Sequence, residues 1–304
     1  MTERDYTMRI LQPMTHWNMN KRIPVITQKQ VAAFLKPRQR DSHKGTFGTV
    51  AVIGGASGMV GAPLLAARAA LKLGAGCVHV GLLADNAPAV DIVQPELMLH
   101  SAQAALLLPN MNVLAVGCGM GASTAAQKIL YEALKADAAL VLDADALNLL
   151  ARHTDLQDDL RARKAASVIT PHPGEASRLL GTSIKQIQAA RTEAAQQLAK
   201  KLHCAVVLKG ADSVCVTRDG STYLNKTGNP GMSGPGMGDV LTGMIAAFIA
   251  QGLDADQALL LAVHLHGVAG DALAEKGVAV GMTATDVTEW ARWLLNQWAG
   301  SVPV

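Results

Sequence analysis

Short apolar, β-branched runs alternate along this chain with longer Ala- and Leu-rich segments of helical period, and that alternation constrains the fold more than any other feature. The runs fall at residues 49–53, 77–81, 113–116, 140–143, 167–170, 205–209 and 213–217. Helical stretches lie between them at 62–73, 125–136, 176–180 and 185–201, and a last helical region runs from Asp239 almost to the C-terminus. Repetition of this kind predicts a parallel sheet with right-handed crossovers, covered by helices. Only 3% of residues are aromatic, which suits helices packed closely on such a sheet rather than an all-β sandwich. The 304 residues, half of them apolar, suffice for one large α/β domain and are few for two with linkers. Residues 1–25 hold no sustained period and are expected to form an N-terminal extension, with one domain at 26–304.

A net charge of +3 from 27 basic and 24 acidic residues gives no single-sign field, so nucleic-acid and membrane-surface partners are not expected. The one basic cluster, Lys36, Arg38, Arg40, His43 and Lys44, either flanks a phosphate-bearing ligand or faces water. Cys77, Cys118, Cys204 and Cys215 stand singly in apolar stretches, without the paired spacing of a zinc site or a disulfide framework, and read as small buried hydrophobes. The N-terminus lacks the apolar stretch of a secretory signal. The longest candidate membrane span, from Val240, is broken by Gln251, Asp254 and Asp256 and falls short of the roughly 18 apolar residues needed. A cytoplasmic protein is the expectation.

Ligands of open α/β sheets bind outside the carboxyl ends of the strands, where the unusual residues of this chain cluster. Residues 228–243, GNPGMSGPGMGDVLTG, form a glycine-dense loop running into an apolar helix. Such a helix start offers free N–H groups and a positive dipole end to a phosphate. Asp239 at that point would repel the anion unless it is an N-cap or a base beside the transferred group. The turn Lys209-Gly210-Ala211-Asp212-Ser213 is either a nucleotide contact or a β-turn with an exposed lysine. Residues 170–175, TPHPGE, hold His172 and Glu175 in fixed directions between two prolines, although Glu175 could merely complement the next helix dipole.

Gly54, Gly58 and Gly61 do not match a GxGxxG dinucleotide fingerprint in spacing, which removes a Rossmann reading. Gly117-Cys118-Gly119-Met120-Gly121 is a further close-approach loop. Asp143 and Asp145 bring two carboxylates to the same rim, as Mg²⁺ ligands or, for Asp145, as a helix cap. His264 and His266, two apart on a helix, cannot face one another and read as packing or surface residues.

Five blocks in order, HKGTFG with GGASGMVGAP, GCGMG, DADALN, TPHPGE with KGADS, and NPGMSGPGMGDVLTG, resemble the NAD(P)H-hydrate dehydratase family over about residues 26–290. The resemblance implies a ribokinase-like three-layer α/β/α sandwich with a mainly parallel central sheet, commonly a homotetramer. It also implies use of ADP or ATP with Mg²⁺, the hydrates NADHX or NADPHX as substrate, and a functional link to a separate epimerase. By the same carry-over Lys209, Gly210, Ala211, Asp212, Ser213 and Gly238 contact the nucleotide. Ala62, Gly119, His172 and Asp239 contact the hydrate, and Asp239 is the catalytic base. Two positions depart from the pattern, Cys118 where proline is usual and Pro235 where glycine is common. A vitamin or sugar kinase on the same scaffold is the nearest rival, and a nucleotide sensor is a non-enzymatic one.

Overall fold

The computed structural model describes residues 22–300. One sheet carries nine strands: β1 Thr49–Gly54, β2 Cys77–Leu82, β3 Met98–Ser101, β4 Val113–Val116, β5 Ala139–Leu142, β6 Ser167–Ile169, β7 Ala205–Leu208, β8 Ser213–Val216 and β9 Thr222–Asn225. The spatial order is β3-β2-β1-β4-β5-β6-β7-β8-β9. Pairing is parallel from β3 through β7 and antiparallel for β7–β8 and β8–β9. All seven expected runs are strands. The expected sheet lacked β3 and β9, the two edges.

Both faces of the parallel strands are buried, because alternate residues feed different cores. The helices in chain order are α1 Gln28–Ala32, α2 Gly61–Lys72, α3 Ala102–Leu106, α4 Thr124–Lys135, α5 Ala144–Arg152, α6 Thr154–Ala162, α7 Pro173–Leu180, α8 Ile184–Ala189, α9 Arg191–Leu202, α10 Met237–Ala250, α11 Ala255–Glu275 and α12 Ala284–Gly300. Val50, Val52, Val113, Val141 and Val207 pack with apolar residues of α2, α10, α11 and α12 on one face. Ala51, Ile53, Leu114, Leu140 and Leu208 pack with α3 through α9 on the other. The result is the expected three-layer α/β/α sandwich.

Local detail differs from the sequence reading in places. The stretch at 185–201 is two helices broken at Ala190, whose φ of −140° and ψ of 56° leave the helical region. The final helical region is three helices separated by turns. Residues 1–21 of the expected extension lie outside the described residues, while the Pro24 carbonyl accepts from Leu224 N at 2.9 Å and so joins the sheet edge. The helix nearest to a membrane span in length and composition is α11 rather than the run from Val240, and 67% of its most apolar window is buried inside the fold. The basic cluster near Lys36, with the HKGTFG block that it enters, sits at the amino-terminal ends of β1 and β2, away from the carboxyl strand ends that carry the other motifs. There Arg38 donates to the carbonyl of Gly74, at the turn entering β2, and stacks over Phe47.

Helix α10 reaches the sheet because it packs on α2 at near backbone contact. A Cβ at Gly243 would stand 2.0 Å from the Ala66 carbonyl oxygen. Gly243→Ala must therefore push α10 off α2, and overpacking of this kind costs about 1–3 kcal/mol. Urea unfolding followed by circular dichroism should show that loss; an unchanged midpoint would refute the close-packing account.

Candidate active site

The sheet order reverses between β1 and β4, so the loops leaving their carboxyl ends diverge there and open a crevice. Those loops are fastened by backbone: Gly55 N donates to Cys118 O at 3.0 Å and Ala56 N to Gly119 O at 2.7 Å. Ala62, in the first turn of α2, faces Gly119, where an added Cβ would lie 3.2 Å from the Ala62 Cβ. Two residues expected to meet the hydrate thus stand side by side.

Next along the strand ends lies a buried charge pair. Asp143 occupies the N-cap position of α5, yet its side chain makes no cap bond. Its Oδ1 accepts instead from Lys209 Nζ at 2.5 Å, and its Oδ2 from Thr242 Oγ1 at 3.1 Å. Burial pushes the Asp143 carboxyl up, but the Lys209 ammonium overrides this and holds it below the usual carboxylate range. Burial likewise works against the Lys209 charge, and attraction to Asp143 and then Glu175 raises its pKa. Lys209 is therefore not the exposed turn lysine that one reading allowed. Gly238 rests on this pair, with a built Cβ 3.3 Å from both Asp143 Oδ2 and Lys209 Nζ.

Glu175 serves the start of α7, one of the two roles the sequence left open, and also approaches Lys209. It closes a capping box at the start of α7, its Oε2 accepting from His172 N at 2.7 Å, and the same oxygen lies 4.0 Å from Lys209 Nζ. His172 Nδ1 accepts from Gly174 N at 2.9 Å, so in the neutral ring the proton sits on Nε2, 3.1 Å from Glu175 Oε1. His172 is fixed in tautomer and direction by backbone and carboxylate together.

Asp239 is not an N-cap. That position belongs to Gly236, in the left-handed region at φ 85°, and Asp239 is the third residue of α10 with no cap bond from its side chain. Its carboxylate, the Cys118 thiol and Asp143 bring ligand atoms within 4.8 Å of one another. Burial pushes the Asp239 pKa up to about 6; the Cys118 hydrogen bond pulls against this, and the Asp143 charge adds to it. Cys118 is fully buried, and burial followed by the neighbouring carboxylates raises its thiol, which stays protonated and donates to Asp239. Asp145 neither caps a helix nor joins this cluster: its Oδ2 accepts from Gly121 N at 2.8 Å and braces the GCGMG loop.

Beside this centre opens a cavity of about 500 Å³ between the 209–213 turn, the 225–233 loop, the start of α10 and α11. All six residues expected to meet a nucleotide, Lys209, Gly210, Ala211, Asp212, Ser213 and Gly238, line it. Ala62, Gly119, His172 and Asp239 are not in its wall. Its size suits a small organic ligand.

Residues 50–292 match the family of NAD(P)H-hydrate dehydratases. The chain belongs to the NAD(P)H-hydrate dehydratase family. Over 266 residues it is 43% identical to the ADP-dependent (S)-NAD(P)H-hydrate dehydratase of Neisseria meningitidis, an alignment covering 86% of this chain and 90% of that protein. It is 41% identical over 272 residues to the bifunctional NAD(P)H-hydrate repair enzyme of Coxiella burnetii, with 88% of this chain but 54% of that longer protein covered. The crystal structure of the ADP/ATP-dependent NAD(P)H-hydrate dehydratase of Bacillus subtilis with ATP and Mg²⁺ superposes at a TM-score of 0.80. Its identity is 30%, and 92% of this chain and 99% of that one are covered.

Within this family's frame the two departures find local explanations. Pro235 lies outside α10, so the N–H groups of Met237, Gly238 and Asp239 in the first turn remain free of intrahelical partners. Proline at 235 removes one donor of the loop. The donor set also bears on Mg²⁺: Asp143 and Asp239 offer the hard carboxylate oxygens that Mg²⁺ takes together with phosphates, whereas the Cys118 thiol does not suit it. Sequence reasoning missed Thr242 and the pairing of Asp143 with Lys209. It also set aside His266, whose ring lines the cavity.

The raised pKa of Asp239 makes a stability prediction. Its folded-state value of about 6 lies above the ordinary value near 3.9, so the folded protein holds the proton more tightly than the unfolded chain. Stability contributed by this group is full below about pH 4 and declines as pH rises through 6. In metal-free buffer, Asp239→Asn should therefore gain on the parent between pH 4 and 7 by on the order of 1–3 kcal/mol. Parallel urea titrations across that range, showing a constant difference, would sink the burial account of Asp239.

Proposed function

We propose that this chain dehydrates the S epimer of NAD(P)H hydrate, NADHX or NADPHX, at the expense of ADP or ATP, releasing NAD(P)H, phosphate and AMP or ADP. The observation that carries this reading is Asp239, a half-buried carboxylate with a pKa near 6 one residue beyond Gly238, the edge of the expected nucleotide cavity. A sensor or a plain anion loop has no use for a base there. A base poised near neutrality is suited to take a proton in the transition state.

In the hydrate, water has added across a ring double bond and left a hydroxyl, which is a poor leaving group. Asp239 accepts the hydroxyl proton as the oxygen attacks the terminal phosphorus of the nucleotide, and the bond from that phosphorus to its bridging oxygen breaks. The free N–H groups of the first turn of α10 and the Lys209 ammonium face the charge that develops. Asp143, together with phosphate oxygens, would hold Mg²⁺, which would supply charge neutralisation. The ring nitrogen then pushes out phosphate, and loss of a proton from the neighbouring carbon restores the double bond. His172, fixed by Glu175, together with Ala62 and Gly119, orients the hydrate, while Lys209 to Ser213 and Gly238 hold the nucleotide.

The same reading takes residues 26–304 as one dehydratase domain, working in the cytoplasm as a homotetramer and drawing its substrate from a separate epimerase. A kinase on this scaffold would leave phosphate on its product, so the products discriminate. Incubation with hydrate and ADP or ATP should restore dihydronicotinamide absorbance and release one phosphate per ring recovered. A stable phosphorylated product would refute the dehydratase reading. Only the S epimer should be consumed where spontaneous epimerisation is negligible, and equal consumption of purified R epimer would contradict it.

Asp239→Asn cannot take up a proton, and positioned general bases contribute about 10²- to 10⁴-fold. Its kcat should fall by at least about two decades while the nucleotide KM changes little. A rate within a few-fold of the parent would remove Asp239 as the base.

A further inference from the structure

Arg178 lies on α7 one turn after Gly174, and helical side chains lean toward the N-terminus of their own helix. Arg178 follows that course. A Cβ built on Gly174 would stand 2.7 Å from His172 Cε1 and 3.7 Å from Arg178 Nη1. The imidazole and the guanidinium therefore flank one point at the start of the helix, which Gly174 keeps free of a side chain.

The guanidinium is anchored through Nε. It donates to Asn148 Oδ1 at 2.9 Å, Asn148 Nδ2 donates to Asp145 Oδ1 at 3.3 Å, and Asp145 Oδ2 accepts from Gly121 N at 2.8 Å. Arg178 is thus joined through α5 to the GCGMG loop that carries Gly119, and the chain of bonds links the segments leaving β4, β5 and β6. Arg178 is not in the wall of the 500 Å³ cavity, whose 209–213 turn leaves β7. It stands on the side of the crevice where the hydrate residues lie.

The other end of the guanidinium has no acceptor. Arg68 pairs with Asp91, and Arg191 donates to Gln188 and to the carbonyls of Leu208 and Lys209. Among the described residues, no acceptor meets Arg178 Nη1 or Nη2. Glu175, three residues earlier, is engaged by His172 and Lys209. An exposed planar fork, held at Nε and open at its end, matches an oxyanion in bidentate geometry. A nicotinamide dinucleotide brings such oxyanions, a diphosphate in every case and a ribose phosphate in the phosphorylated form. Ala62, Gly119, His172 and Asp239 offer them no permanent cation, and Lys209 is committed to Asp143 beside the nucleotide cavity.

We propose that the Arg178 fork binds a phosphate group of the nicotinamide dinucleotide, in its diphosphate or on its ribose. The assignment rests on the hydrate reading of the crevice given above.

The test is binding of NADH and NADPH to the parent and to Arg178→Ala, with saturating ADP filling the nucleotide cavity and dihydronicotinamide fluorescence as the readout. The variant should bind at least one dinucleotide about tenfold more weakly, and bind ADP as the parent does. Equal losses for NADH and NADPH place the fork on the diphosphate; a loss confined to NADPH places it on the ribose phosphate. Added potassium chloride should weaken dinucleotide binding more in the parent than in the variant, because salt screens a charged contact. Unchanged affinity for both dinucleotides, an equal loss for ADP, or one salt dependence shared by both proteins would each overturn the proposal. A parent that dehydrates the hydrate, beside a variant that binds both dinucleotides equally well, would remove Arg178 and leave the functional reading. Dinucleotide binding through Arg178 in a parent that cannot turn the hydrate over would do the reverse.

Discussion

The buried pair of Asp143 and Lys209 is the interaction on which the rest of the site depends. Two charges out of water are costly unless geometry and further hydrogen bonds compensate, and removing one partner of such a pair costs about 3–5 kcal/mol. Here the compensation comes from three residues on two other elements. Thr242 on α10 donates to the free oxygen of Asp143, Glu175 on α7 adds its charge near the ammonium, and Gly238 packs on both groups without a side chain. The carboxyl ends of β5 and β7 and the first turns of α7 and α10 are thereby drawn to one point.

The state of Asp239 follows from that commitment. Because the Lys209 charge is engaged by Asp143, Asp239 gains little attraction from it and feels a second carboxylate close by. Burial then raises its proton affinity into the range where a base works near neutral pH. The group we propose as the base is consequently one that the fold tolerates at a cost in stability, which is the usual relation between strained or desolvated sites and function.

The parallel sheet was legible because its strands are buried on both faces and read as continuous β-branched runs. The edges were not: β3, MLHS, is partly exposed and lacks such a run, and β9, TYLN, packs only one residue fully. Within the site, Asp239 stood out because a carboxylate at a glycine-rich helix start is anomalous. Its alternative as an N-cap failed because the helix begins earlier, at a left-handed Gly236 that no local pattern distinguished from its neighbouring glycines. The partnership of Asp143 with Lys209 joins residues 66 positions apart, and that of Asp143 with Thr242 residues 99 apart, separations across which periodicity carries no information. His266 was set aside because spacing on a helix says which residues cannot face one another, not what each one faces.

Cys118 shows how a departure from the family pattern is absorbed by the same physics. Proline, usual at this point, brings neither an N–H nor a polar side chain, so it leaves the neighbouring carboxylate undisturbed. A buried cysteine would ordinarily add only a small hydrophobe, as Cys204 and Cys215 do on the sheet. Cys118 instead lies against two carboxylates, which keep it a thiol and make it a donor to Asp239. That hydrogen bond favours the ionised form of Asp239 and opposes the effect of burial. Cys118 therefore draws Asp239 back toward ionisation at neutral pH, the form that the proposed role of Asp239 as a base requires.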